Sequence, residues 1–600
     1  MKTLSFVLLL LLAACARPKS SSPSAPRADQ PTTSSDAQDA AFAQLADEYI
    51  AGYLAWRPLV GTTLGLHQYD GKITDFSQAS LKTELGRLKS YERRLAEVKT
   101  AQLSFTPYYD YRILLGAIER EIFGFEQMQV YSRNPMTYAD ALDVSIYVKR
   151  NFAPLDDRVR SIIAILDRAP NIFAAARRNL AEVLPRPEVE TAIEEANGTA
   201  DFLGKDLVET LHEVKDQKLM ADFQAANSRA IQELRAYVAY LKEKKLPQAD
   251  NSFALGREKY VKMLQSGEML DLAPEKVLEL GMAELRRNQR VFAEAAREID
   301  PNQKPSAMYQ AIQKEHPAAD ALIPDTAKGL EQIRQFVVDR RIINIPSPVR
   351  AQVMETPQFL RATSFASMDT PGPFEAKAAE AYYYVTPVEP DWTPKQKEEW
   401  LSAFNYYDIA VTSIHEAYPG HYVQFLCLNA SPATRLEKIL TSYAFTEGWA
   451  HYCEQMMLDE GFGASPSKSP TREEQVTAAK YRVAQADEAL LRVCRLCVSI
   501  KMHCQGMSVD EATRFFEDNC YYEEKPARDE AIRGTFDPEY LYYTVGKLEI
   551  LKLRADYQRQ EGARFSLRRF HNEMLRHGAP PLRLLREAML KDKSTWDQVL

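Results

Sequence analysis

From about residue 40 to the carboxyl terminus, apolar side chains return every three or four positions, over stretches such as 81–98, 111–128, 158–166, 222–244 and 273–298. That period marks helices burying one face and commits the chain to a mainly α body. Glycine supplies only 23 of 600 residues, against a usual share of about 7%. The prolines are scattered as helix punctuation rather than gathered into hinges, so residues 40–600 read as a single domain although the length would permit several. The helical period fails only across 342–386. Extended runs at 350–354 and 382–385 predict a small β element there, whose edge could take up an extended peptide by strand addition. An irregular, tyrosine-rich connection is the other reading.

Residues 1–39 differ in kind. Met1-Lys2, the apolar run 6–12 and Leu12-Ala13-Ala14-Cys15 have the form of a lipoprotein signal, residues 1–14, with Cys15 as the lipidated first residue of the mature chain. The apolar run is too short to remain as a spanning helix. Acyl chains on Cys15 would anchor the protein to a bacterial membrane outside the cytoplasm. Ala16, rather than aspartate, favours the outer membrane facing the periplasm in a Gram-negative cell. Residues 15–39, rich in Ser, Pro, Thr, Ala and Asp, form a flexible tether.

A net charge of −8 without a basic stripe argues against nucleic acid as a partner. Six cysteines follow Cys15: Cys427, Cys453, Cys494, Cys497, Cys504 and Cys520. An oxidising compartment permits disulfides among them, in more pairings than spacing can choose between, though most read as small buried hydrophobes. Cys494-x-x-Cys497 has no matching second pair and makes a weak zinc motif.

The chemistry gathers between residues 415 and 454. His415-Glu416-Ala417-Tyr418-Pro419-Gly420-His421 is answered by Glu447-Gly448-Trp449-Ala450-His451-Tyr452-Cys453-Glu454. Two imidazoles and one carboxylate are the ligand set of a catalytic zinc that keeps a position open, and Glu416 stands where a general base is needed. The spacing is unusual. In His-Glu-x-x-His the two rings lie about 40° apart around a helix and reach one ion; at six residues they lie about 120° apart. Pro419-Gly420 supplies a remedy, because proline interrupts the helical ladder and a bulge can return His421 to the face of His415. A kinked core helix with two hydrogen-bonded histidines is the plainer alternative. Glu447 favours the metal. Residues 436–460 read as one helix that pairs with the first across a turn near Ser431-Pro432, the way gluzincin-type peptidases bring in a third ligand. Glu447, His451 and Glu454, at i, i+4 and i+7, make one polar face able to bind or orient ligands.

The segments HEAYPGHYVQ (415–424), EGWAHYCE (447–454), YTVGKLEILKLR (543–554) and FHNEMLRHGAPP (570–581), with GTTLGLHQYDG (61–71) earlier, resemble the successive signatures of the bacterial "domain of unknown function 885" family. The resemblance covers nearly all of the chain beyond the tether. It implies a mainly α, long-helix zincin-like bundle related to gluzincins, with a small β element near the active-site cleft, and a zinc hydrolase whose substrates are largely unassigned. Ser499 and Lys501 stand where members often carry aspartate and glycine ahead of His503. Of Tyr540, Tyr542 and Tyr543, the last matches the family signature and is the candidate to hydrogen-bond an oxyanion opposite the metal. Arg554 could meet a substrate carboxylate, or simply face solvent.

The expectation is a lipid-anchored zinc metallopeptidase, with one Zn2+ per chain on His415, His421 and Glu447, Glu416 as general base and Tyr543 as oxyanion donor. His451, Glu454, His503 and Arg554 are candidates for supporting the ligands or touching substrate. Hydrolysis of another amide is the alternative among enzymes. From a different class comes a surface-binding lipoprotein whose site is structural or vestigial, which His451 in a fourth ligand position would favour.

Overall fold

The computed structural model describes residues 34–357, 361 and 364–600. The predicted signal, Cys15 and the tether up to residue 33 lie outside the described residues. The chain is mainly helical with one small sheet. Its principal helices, numbered in chain order, are α1 (Ser34–Trp56), α2 (Gln78–Ala96), α3 (Phe105–Phe123), α4 (Leu155–Leu166), α5 (Arg186–Gly204), α6 (Gln217–Tyr240), α7 (Pro274–Ile299), α8 (Leu322–Asp339), α9 (Tyr406–Glu416), α10 (His421–Ala430), α11 (Tyr443–Asp459), α12 (Arg472–Gln505), α13 (Val509–Cys520), α14 (Glu524–Phe536) and α15 (Tyr542–Glu561).

The periodic stretches of the sequence fall on α2, α3, α4, α6 and α7. α1 begins ahead of residue 40, so the last residues assigned to the tether are helical. Asp36 in its first turn complements the helix dipole, and the alanines that follow favour helix.

Apolar faces pack into clusters that follow the chain. Tyr49, Leu88 and Ile113 join α1 to α3, while Val159, Phe173 and Leu234 lie among α4 to α6. Leu285, Leu490 and Phe516 bind α7, α12 and α13, and the largest cluster joins Tyr383, Ile414, Trp449 and Val545 under the helices that carry His415, His421 and Glu447. α7 runs along α12, and α11 along α15. The second pair approaches closely because Gly546 has no side chain: a Cβ there would lie 1.9 Å from the Ala444 carbonyl oxygen.

The sheet comprises β1 (Ala351–Glu355), β2 (Ala366–Asp369) and β3 (Ala381–Val385) in the order β1-β3-β2. β1 is parallel to β3, and β2 is antiparallel with Met368 opposite Tyr383. β1 and β3 match the two extended runs read from the sequence. β2 is only four residues long, too short to carry a period, and takes its register from β3. Among the described residues no helix is long and apolar enough to cross a membrane.

The expected single helix over 436–460 is two, a short helix Arg435–Ile439 and then α11. Ser442 caps α11 by accepting from the Phe445 N–H at 3.0 Å. The buried Glu268 accepts the Tyr443 and Ala444 N–H groups at 2.8 and 3.3 Å and the Ser442 hydroxyl. A carboxylate on otherwise orphaned amides at a helix amino terminus is a strong reason for a helix to begin there.

Candidate metal centre

α9 starts on Asn405, whose Oδ1 accepts from the Tyr407 and Asp408 N–H groups, both at 3.1 Å. It ends at Glu416. The bulged helix expected through Pro419-Gly420 is instead a corner between two helices: the Gly420 N–H donates to Ile414 O at 3.0 Å, and His421 opens α10. Proline cannot continue the ladder, and Gly420 packs so tightly on the end of α9 that a Cβ would lie 1.8 Å from His415 O. Trp449, fully buried on α11, donates from Nε1 to Pro419 O at 2.9 Å and fastens the corner from outside. His415 at the end of one helix and His421 at the start of the next come to 4.8 Å between ring centroids, nearly perpendicular.

Glu447 joins them from the second turn of α11. Its Oε2 lies 3.5 Å from His415 Nε2 and 3.4 Å from His421 Nε2. The three side chains form a group able to hold a metal ion. Protein ligands about 2.0–2.1 Å from a tetrahedral zinc stand roughly 3.3–3.4 Å from one another, so these separations fit the ion. Glu447 Oε2 is buried with no hydrogen-bond partner among the described residues, a state that costs about 1–3 kcal/mol or more for a charged group. A cation between the three donors would remove that cost. Burial alone would raise the Glu447 carboxyl, yet the two imidazoles hold it well below the usual carboxylate range. Burial disfavours the charged form of His415, but Glu447 and Glu454 outweigh it and hold the imidazole up at about 10.

Behind the donors lies a buried network. His415 Nδ1 donates to Glu454 Oε1 at 2.7 Å, which turns Nε2 toward Glu447. Glu454 Oε2 accepts from His451 Nδ1 at 2.9 Å, and Arg492 lies 3.4 Å from Oε1. His451 therefore faces Glu454 and does not join the donor group. Burial and the Lys547 charge press its pKa down to about 3, so it is neutral.

The remaining candidates divide. Glu416, next to the first donor, accepts at Oε2 from the Met368 N–H of β2 at 3.1 Å. The Tyr543 ring stacks near His415 at 6.4 Å between centroids, with the Arg492 and Arg495 guanidiniums 5.8 and 5.3 Å from its own. His503 and Arg554 stand apart. The imidazole of His503 is occupied by backbone, accepting the Leu255 N–H at 3.2 Å and donating to Gly534 O at 2.8 Å, and it sits eleven residues along α12 from Arg492, about 16 Å at 1.5 Å per residue. Arg554, as far along α15 from Tyr543, donates to the Tyr452 hydroxyl at 3.2 Å and faces Glu460. Both hold structure rather than the donor group. Sequence reasoning passed over Arg492, Glu268 and the Met368 N–H. Only Arg492 carried a signal, as one of two arginines, with Arg495, inside the largely apolar run 489–500 of α12.

Fold and donor set together define a mainly helical protein with a group of three side chains able to hold a metal ion. Residues 58–589 match the family described as a bacterial protein of unknown function, DUF885, and the chain belongs to that family. No curated protein matches it. Among solved structures it is similar to a candidate lipoprotein of unknown function from Shewanella oneidensis, at 24% identity and TM-score 0.74 over 92% of this chain and 100% of that one. It is similar also to a candidate lipoprotein from Colwellia psychrerythraea, at 17% identity and TM-score 0.73 over 94% of this chain and 99% of that one. At these identities the likeness concerns the fold.

Proposed function

We propose that this protein is a zinc-dependent metallopeptidase of zincin-like type, anchored through a lipidated Cys15 on the extracytoplasmic side of a bacterial membrane. The observation that carries the reading is the buried Glu447 oxygen, 3.4 and 3.5 Å from two imidazole nitrogens and without a hydrogen bond among the described residues. His415, His421 and Glu447 would hold the ion. A zinc ion there supplies Lewis acidity, polarising a carbonyl and acidifying a water. Glu416 takes the proton of the attacking water and returns it to the leaving amine. Tyr543, whose ring stands beside His415, hydrogen-bonds the oxygen that gains charge.

The peptide preference rests on β2. It is an edge strand whose Met368 N–H turns away from β3 toward Glu416, so an extended peptide added along that edge lies against the base. A closed structural site would need a fourth protein donor, and His451, the nearest in sequence, is engaged with Glu454. The lipoprotein signal of the sequence supports the anchored location, and the described likeness to two candidate lipoproteins agrees with it.

The test joins metal analysis by mass spectrometry with digestion of a mixed peptide library. One zinc per chain and cleavage by the wild type are expected, with zinc kept but turnover lost in Glu416→Gln, because an amide cannot accept the proton. Absence of zinc, or wild-type cleavage by Glu416→Gln at saturating substrate, rejects the assignment.

A further inference from the structure

At the carboxyl-terminal end of α12, a polar cavity of about 260 Å3 opens where the α3 end, the α5 start, the 252–255 loop and the ends of α12 and α14 meet. That is small beside the roughly 300 Å3 at which sites for drug-sized ligands begin. Its walls carry charge in an unusual state. Glu188, in the first turn of α5, is 8% exposed and makes no hydrogen bond or ion pair among the described residues. Burial pushes its carboxyl up to about 8, with Arg133 pulling the other way. Two cations share the cavity without a carboxylate in contact. Arg133 donates to the Ser252 carbonyl at 2.7 Å, and Lys259 to the Gln127 carbonyl at 3.0 Å, which leaves donors on both unused.

The backbone of the same wall is irregular. α3 loosens into a π turn at Gly124–Met128, and Gln129 follows at φ +56°, a left-handed conformation uncommon for a residue with a side chain. Strain and π turns of this kind concentrate where ligands bind. His503, fully hydrogen-bonded to backbone, forms part of the floor and fixes the 252–255 loop against α12.

We propose that this cavity binds a small zwitterion, an amino acid or a dipeptide, whose ammonium group meets Glu188 and whose carboxylate meets Arg133 and Lys259. A carboxyl and two cations lining one cavity are complementary to a molecule carrying both charges a few bonds apart, and the desolvation already imposed on Glu188 is relieved when an ammonium arrives. The site is independent of the reading of the metal centre.

Isothermal titration of the purified, zinc-stripped protein tests it, with glycine and glycylglycine as probes against N-acetylglycylglycine and glycylglycine amide. The free zwitterions should bind, and each capped form should bind at least tenfold more weakly. Glu188→Gln should remove the advantage of the free amine, and Lys259→Met the advantage of the free carboxylate, with the melting temperature of each variant confirming that it folds. No binding of either zwitterion overturns the proposal. So does binding that is equal for capped and free forms, or equal in wild type and both variants. Because zinc is absent throughout, failure of the peptidase assignment leaves this result untouched.

Discussion

Glu454 shows how much one buried carboxylate can settle. It accepts from His415 on one oxygen and from His451 on the other, beside Arg492. Burial would raise it, but the Arg492 charge and the hydrogen bonds from His415 and His451 keep it well below the usual range and so ionised. Tyr543, whose ring stands beside His415, has a role that kinetics decide. If its hydroxyl acts only as charge develops on the substrate oxygen, Tyr543→Phe should lower kcat and kcat/KM together by about 10² to 10³, with KM little changed. Steady-state kinetics and a melting curve on the same variant decide the matter. A stability loss of about 1 kcal/mol with normal kcat would make it a packing tyrosine. The grouping of His415, His421 and Glu447 was legible because a histidine-glutamate pair followed by a glutamate on a helix is chemically specific. The pairing of Arg492 with Glu454 was not, since a residue 38 positions further on reaches it only through the packing of α11 on α12.

Among the elements, the α9–α10 corner was half legible. Pro419-Gly420 announced an interruption, but a bulge and a full break share that signal. The break prevails because the Gly420 N–H closes back on Ile414 O and α10 restarts at His421. The division of 436–460 was hidden for a related reason: the carboxylate that starts α11 belongs to Glu268, far away in sequence. Gly420→Ala tests the corner. A methyl group driven against the His415 carbonyl should cost about 1–3 kcal/mol or more, and should shift the two imidazoles apart. We expect zinc affinity to fall more than tenfold in a competition titration while most helix content by circular dichroism persists. Unchanged affinity would show that the corner does not set the donors.

For the molecule as a whole, the long helical periods foretold a mainly α body, and the family match over 58–589 spans most of it. The order in which the helix groups pack was not legible, because every amphipathic helix advertises a face but not its partner. Anchoring should be separable from the rest. Residues 15–33 precede α1, so Cys15→Ser should release the protein from membranes while its melting temperature and turnover stay at wild-type values. A variant as firmly membrane-bound as wild type, by fractionation, would reject lipid anchoring at this cysteine.

The indole of Trp449, bonded to the Pro419 carbonyl, makes the helix that bears the third donor and the corner that bears the other two into one piece. Under the proposed function, an ion arriving there would find finished positions instead of gathering loose ones, and its departure would ask for no unfolding. A centre built this way would be emptied and refilled without the chain coming apart, so the ion it carried would follow the supply around it rather than the moment at which the chain was made.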